Sequence, residues 1–133
     1  MNGNAAKRKE NNMCYKNFLQ YVSVISKRDD IPREEKEKLL KNMKEQFMKI
    51  ISIGDIIVDT KFGIKKQKNE QAYNESIDDA IKAANKANEM YREQFGADMF
   101  LKVPNSAVDL LDVSAEIDKD MFERIEKEEN NVL

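Results

Sequence analysis

The sequence predicts an all-α fold, and three observations carry that prediction. Large apolar side chains recur at alternating three- and four-residue steps, which gathers them on one side of a helix. Only four Gly and two Pro occur in 133 residues, too few turn formers for a sandwich or barrel of many strands. Charged residues make up 36% beside a hydrophobic share of 41%, which suits a compact, heavily solvated helical chain better than a disordered one. The expected architecture is a single-domain bundle of four to six helices over residues 11–133, with residues 1–10 as a flexible tail lacking periodicity.

The first helix is expected from Asn11 to Lys27, with Tyr15, Phe18, Val22 and Ile25 on one face and Cys14, Leu19 and Tyr21 beside them. Arg28-Asp29-Asp30 breaks it and Ile31-Pro32 opens the next. Proline fits the first turn of a helix, and Glu34, Glu35 and Glu37 complement the positive end of its dipole.

The central element is the long helix over about residues 32–60. Leu40, Met43, Phe47, Ile50, Gly54 and Ile57 keep one register, and Leu39, Ile51 and Val58 widen the face. The β-branched run Ile50, Ile51, Ile53, Ile56, Ile57, Val58 and Thr60 also reads as a buried strand. The unbroken phase from Leu40 to Ile57 favours helix. Gly54 costs about 1 kcal/mol against Ala in a helix, yet it lies on the apolar face, where a missing side chain lets a second helix approach. Phe47 and Gly54 are read as structural.

After Phe62-Gly63 comes a polar basic connection carrying Lys61, Lys65, Lys66 and Lys68. The plain reading is a solvated loop, and the sharper one a docking site for phosphate or an acidic partner surface. Asn74 can cap a second long helix over about 75–95, in which Ile77, Ile81, Ala84, Asn88, Tyr91 and Phe95 keep helical steps and Gly96 supplies the stop. Ala80, Ala83, Ala84 and Ala87 make this helix slim, and Gly54 is its expected counterpart. Asn88 and Tyr91 are read as structural, Asn88 as an amide that fixes pairing.

The stretch 72–100 resembles a small family of uncharacterised all-helical bacterial proteins. The likeness rests on two asparagines three apart, Asn85 and Asn88, in a helix that ends on the aromatic-Gly pair Phe95-Gly96. The resemblance covers about a quarter of the chain and implies an all-helical fold and no activity.

Ala97 to Val103 reads as a linker with apolar points, closed by Pro104. A short helix is expected over Asn105–Val113, and a further one from Ser114 with Ile117, Met121, Phe122 and Ile125 as its stripe. The rest of this end is acidic. Asp109, Asp112, Glu116 and Asp120 are its candidate contacts for a basic partner, against the simpler reading of a solvated face.

The net charge of −2 hides a split: sixteen Lys+Arg and nine Asp+Glu over residues 1–68 give +7, while seven and sixteen over 69–133 give −9. Such polarity suits attraction between halves of one fold or between copies, and it argues against nucleic acid, whose binders carry a net basic domain. Catalysis lacks equipment. There is no histidine, Cys14 is the only cysteine and reads as a small core hydrophobe, and no Gly-rich loop is present. No metal or cofactor is expected. One enzymatic alternative is a Mg-dependent all-α nucleotide pyrophosphohydrolase, through Glu34-x-x-Glu37 and Glu75-x-x-Asp78. A weak nucleic-acid binder acting through the basic N-terminal half is another. With no apolar run long enough for a membrane span and no secretory leader, the expectation is a cytoplasmic protein. Abundant Asn, Lys and Ile point to a bacterium or phage. The leading expectation is a non-catalytic interaction or regulatory protein, antitoxin-, immunity- or inhibitor-like, working on a protein partner or as a homodimer.

Overall fold

A computed structural model describes residues 14–61, 70–117 and 127, apart from the side chains of 55, 57–61, 70 and 71. It is all-helical over those residues, with four helices: α1 (Cys14–Lys27), α2 (Arg33–Lys61), α3 (Glu70–Phe95) and α4 (Ala107–Glu116). No strand and no helix long and apolar enough to cross a membrane occur among the described residues. The tail expected at 1–10 and the C-terminal stripe of Met121, Phe122 and Ile125 lie outside them.

α2 is the element against which all the others pack. Its 29 residues stay helical through the β-branched run, so the strand alternative at 50–60 is not adopted. The reason is register: Leu40, Met43, Phe47 and Ile50 are all fully buried on one face, and Gly54 continues that face without a phase change. At about 1.5 Å per residue the helix spans roughly 43 Å, long enough to carry α1 and α3 over most of their length.

α1 and α2 form an antiparallel hairpin. Lys36 Nζ donates to the carbonyl of Ser26 at 3.1 Å near the turn, and farther along Phe18 meets Phe47 edge-on with ring centroids 4.7 Å apart. The connection is held by Arg28, whose guanidinium donates to both Asp30 oxygens at 2.9 and 2.5 Å and reaches Gln94 Oε1 at 2.6 Å. That last bond brings the end of α3 to the start of α2, so the two long helices also run antiparallel. Phe18, Val22 and Ile25 of the expected line of α1 are buried. The buried face is widened toward Cys14 and Tyr21, with Tyr15 half-exposed, because Cys14 reaches Glu116 of α4 and Tyr21 lies beside Phe95 of α3.

α3 starts at Glu70, about a turn before the expected cap, and Asn74 stands exposed inside the helix rather than at its end. Capping preference is worth about 1 kcal/mol and yields to continued helical pairing with α2. The alanines Ala80, Ala83, Ala84 and Ala87 are all buried, which accounts for the extensive α2–α3 contact. Gly96, at φ +67°, ends the helix, its N–H donating to the Arg92 carbonyl at 2.8 Å in the usual left-handed glycine stop.

The chain then turns back into the core. Met99, Phe100 and Pro104 are buried, and Phe100 stacks on Phe47 with centroids 6.1 Å apart. Phe47 thus sits between two rings, each such pair contributing about 0.5–1.5 kcal/mol beyond simple burial. The segment expected as a linker is part of the core. α4 follows as one helix through Ser114 to Glu116, with no break at Ser114. Its buried side is Leu110, Val113 and Glu116, and Val108 of the expected apolar set is exposed.

Candidate functional site

Of the charged positions that the sequence marks for a partner, only Asp109, Asp112 and Glu116 have described side chains. Lys61 closes α2 with its side chain outside the described set, and Lys65, Lys66, Lys68 and Asp120 lie outside the described residues altogether. Asp109 is largely withdrawn from solvent into a local capping arrangement. Its N–H donates to Ser106 Oγ at 3.2 Å, its carboxylate accepts the Asn105 N–H at 3.2 Å, and Lys102 Nζ lies 3.6 Å away. Ser106 caps the start of α4, and Asp109 reaches one residue further back to the Asn105 N–H, with its carboxylate at the positive end of the dipole. Asp112 is half-buried.

Glu116 is the clearest correction. It is buried at 3% exposure and accepts a hydrogen bond from the Cys14 thiol, so it is not part of a solvated acidic face. The period of α4 puts it in line with Leu110 and Val113 on the inner side. Burial, and then the charge and hydrogen bond of Glu116, push the Cys14 thiol well above its ordinary pKa of 9.0. A thiol so held stays protonated and inward.

The polar residues of α3 hold the returning loop. Asn88 Oδ1 accepts the Met99 N–H at 2.7 Å, and its Nδ2 donates to Asp98 Oδ1 at 3.1 Å, which also accepts Arg92 Nε at 2.8 Å. From α1, Asn17 Nδ2 donates to the Met99 carbonyl at 2.5 Å, and Asn17 Oδ1 accepts the Tyr91 hydroxyl at 3.3 Å. Both main-chain polar groups of buried Met99 are thereby satisfied. Asn85, by contrast, is exposed and only donates back to the Ile81 carbonyl at 3.0 Å.

Glu34 and Glu37 begin α2 while Glu75 and Asp78 lie near the start of the antiparallel α3. The two carboxylate pairs therefore sit toward opposite ends of the helical pair. Among the described residues no group of three or more His, Cys, Asp or Glu could hold a metal ion.

A groove of about 540 Å³ opens on the outer side of the α2–α3 pair. Its floor is Ile53 and Ile56 from α2 with Ala80 and Ala83 from α3. The slim alanines that let the helices close up also leave this floor shallow and apolar, and Ile56 is 43% exposed there. Lys49, Lys82 and Lys86 stand around it, all exposed, with Asp79 as the one carboxylate of the lining. None of the three lysines makes an ion pair among the described residues. Gln46, buried and donating to Asn42 Oδ1 at 2.9 Å, closes one side, and Ser52 and Ser76 add hydroxyls at the margin.

Neither Lys82 nor Lys86 stands out in the sequence. Their spacing of four places them on one helical face, but only the pairing of α2 with α3 adds Lys49 and the apolar floor between them. Searches against family models, curated proteins and solved structures found no match to this chain.

Proposed function

We propose that this chain is a non-catalytic helical interaction protein, a small regulator of the antitoxin, immunity or inhibitor kind that acts by docking on another protein. The observation that carries this reading is the α2–α3 groove, where three exposed lysines with no ion-pair partner among the described residues stand around Ile56, itself 43% exposed. That surface offers an acidic, partly apolar partner both ion pairs and an apolar contact. Several polar groups deeper in the fold are engaged in structural bonds: Asn88 and Asn17 with the Met99 main chain, Cys14 with Glu116. The acidic residues Asp109 and Glu116 are engaged likewise, which leaves the basic groove as the charged surface, among the described residues, on which this reading rests.

Affinity capture with the tagged full chain from its own cell tests this reading. The expected result is one protein retained near stoichiometry and released as salt rises. Absence of any retained protein, together with divalent-dependent nucleotide hydrolysis lost in Glu37→Gln or Asp78→Asn, would overturn it.

A further inference from the structure

We infer that the α2–α3 groove takes an acidic amphipathic helix from the partner protein, its apolar side chains against exposed Ile56 and its carboxylates on Lys49, Lys82 and Lys86. The inference rests on the interaction reading above and names the occupant. Three features select it.

The first is charge. The charged groups lining the groove are three lysines and one carboxylate, Asp79, an excess of positive charge that favours an occupant carrying negative charge. The second is the floor. A free phosphate or nucleotide gains little from isoleucine and alanine, and the lining offers no arginine fork or glycine-rich backbone cradle. An amphipathic helix uses both the floor and the charges, which is the helix-in-groove mode of recognition. The third is shape. The groove is open and lies between two long helices whose lining runs from Gln46 to Ile56 and from Ser76 to Lys86, nearly three turns on each side. A compact ligand would leave much of that length unfilled.

The lysines are also placed for this task. Lys82 and Lys86 follow one another on α3 at a spacing of four, and Lys49 projects from α2. They therefore flank the floor from both helices, and a helix lying between them would meet cations on its two sides. Lysine, a flexible point charge on a long stem, tolerates variation in where those carboxylates stand.

The test uses the full chain and a fluorescent synthetic peptide of roughly 16 residues, with Leu at positions i, i+3, i+4 and i+7 and Glu elsewhere. Saturable binding is expected by anisotropy, with amide shifts confined to residues 46–56 and 76–86. Three changes should each weaken it about tenfold: Lys82→Glu with Lys86→Glu, replacement of the peptide's Glu by Gln, and a rise in salt from about 50 to about 500 mM. Ile56→Asp, at an exposed position, should weaken it while leaving the helical circular dichroism unchanged. Several outcomes overturn the proposal: no binding, equal binding to the lysine variant, shifts elsewhere in the chain, or full displacement by inorganic pyrophosphate with Ile56→Asp indifferent. So does a wild-type dimer that the lysine variant converts to monomer, since the groove would then belong to a second copy. If the full chain captures a cellular partner and the lysine variant captures it equally, the groove assignment falls while the interaction reading stands. If the peptide binds as expected but no cellular partner is retained, the reverse holds.

Discussion

Asn88 Oδ1 accepts the main-chain N–H of Met99 at 2.7 Å, and through that bond one side chain of α3 anchors the loop that closes the core. The bond is buried, and both residues are nearly inaccessible to solvent. Asn88→Ala leaves the buried Met99 N–H without its side-chain acceptor. A buried donor stranded in this way costs about 1–3 kcal/mol. Urea unfolding should show a loss in that range with an unchanged slope, whereas Asn85→Ala, at an exposed position, should stay within about 0.5 kcal/mol of the wild type. Equal effects of the two substitutions would rule out the anchoring role.

Tyr21 makes the alkaline limb of stability predictable. Its side chain is fully buried, and its hydroxyl finds no hydrogen-bond partner among the described residues. Burial first, and then the charge of Glu93, push the phenol from 10.0 up to about 12. Below pH 10 both folded and unfolded chains hold this proton. Between 10 and 12 the unfolded chain releases it while the folded chain retains it, so stability falls as pH rises through that window. The loss by pH 12 is on the order of 2 kcal/mol. The thiol of Cys14, held above 9.0 by burial, acts in the same direction from a lower starting pH. Tyr21→Phe should flatten the decline between pH 10 and 12. At pH 7 it should be neutral or stabilising by about 1 kcal/mol, since it removes a buried hydroxyl that has no partner. Chemical denaturation at a series of pH values checks both statements.

The helical class and the central helix can be read from apolar spacing because a 3.6-residue period marks burial whatever the neighbouring element is. Leu40, Met43, Phe47 and Ile50 needed no knowledge of their partners. Side-chain pairing across the fold is different. The three-residue steps from Leu110 and Val113 put Glu116 on the inner line of α4, but nothing in the sequence pairs it with Cys14, 102 positions earlier in the chain. Met99 and Phe100 looked like points on a linker because the seven residues from Ala97 to Val103 are too few to show a period. The groove was hidden for the same reason. Lys49 and Lys82 belong to one surface only after two helices choose their register, and that choice is made by the buried alanines rather than by the lysines themselves.

Ser106 and Asp109 divide the work of starting α4. Ser106 Oγ accepts the Asp109 N–H, and the Asp109 carboxylate accepts the Asn105 N–H while lying near the Lys102 ammonium. Ser106→Ala should cost about 1 kcal/mol, as for other helix caps. Asp109→Asn keeps an acceptor but loses the charge at the dipole's positive end, so a smaller loss of about 0.3–1 kcal/mol is expected. Because Asp109 serves the helix start, neither substitution should alter binding of the acidic peptide. A change in that affinity without a change in stability would return Asp109 to the docking surface.

Gly54 owes its identity to Ser114. A Cβ built on Gly54 would lie 2.9 Å from Ser114 Cβ and closer still to its hydroxyl. The partner of this glycine is therefore α4, not the alanine-rich α3 that its place on the apolar line suggested. Rotation of the serine hydroxyl cannot relieve the contact, because the offending Cβ is fixed to the α4 backbone and the hydroxyl is already engaged with the Leu111 carbonyl at 3.0 Å. Two effects then compete in Gly54→Ala. Helix propensity favours alanine by about 1 kcal/mol, while overpacking at a close helix crossing costs about 1–3 kcal/mol. With the contact this short, the second should win and the variant should be destabilised. Replacing Ser114 by Gly removes the clash at its source. In the double variant Gly54→Ala with Ser114→Gly, the loss from the alanine should vanish, giving a coupling of about 1 kcal/mol or more in a double-mutant cycle. Strictly additive losses would mean that α4 does not pack over Gly54, and the placement of Glu116 beside Cys14 would lose its support with it.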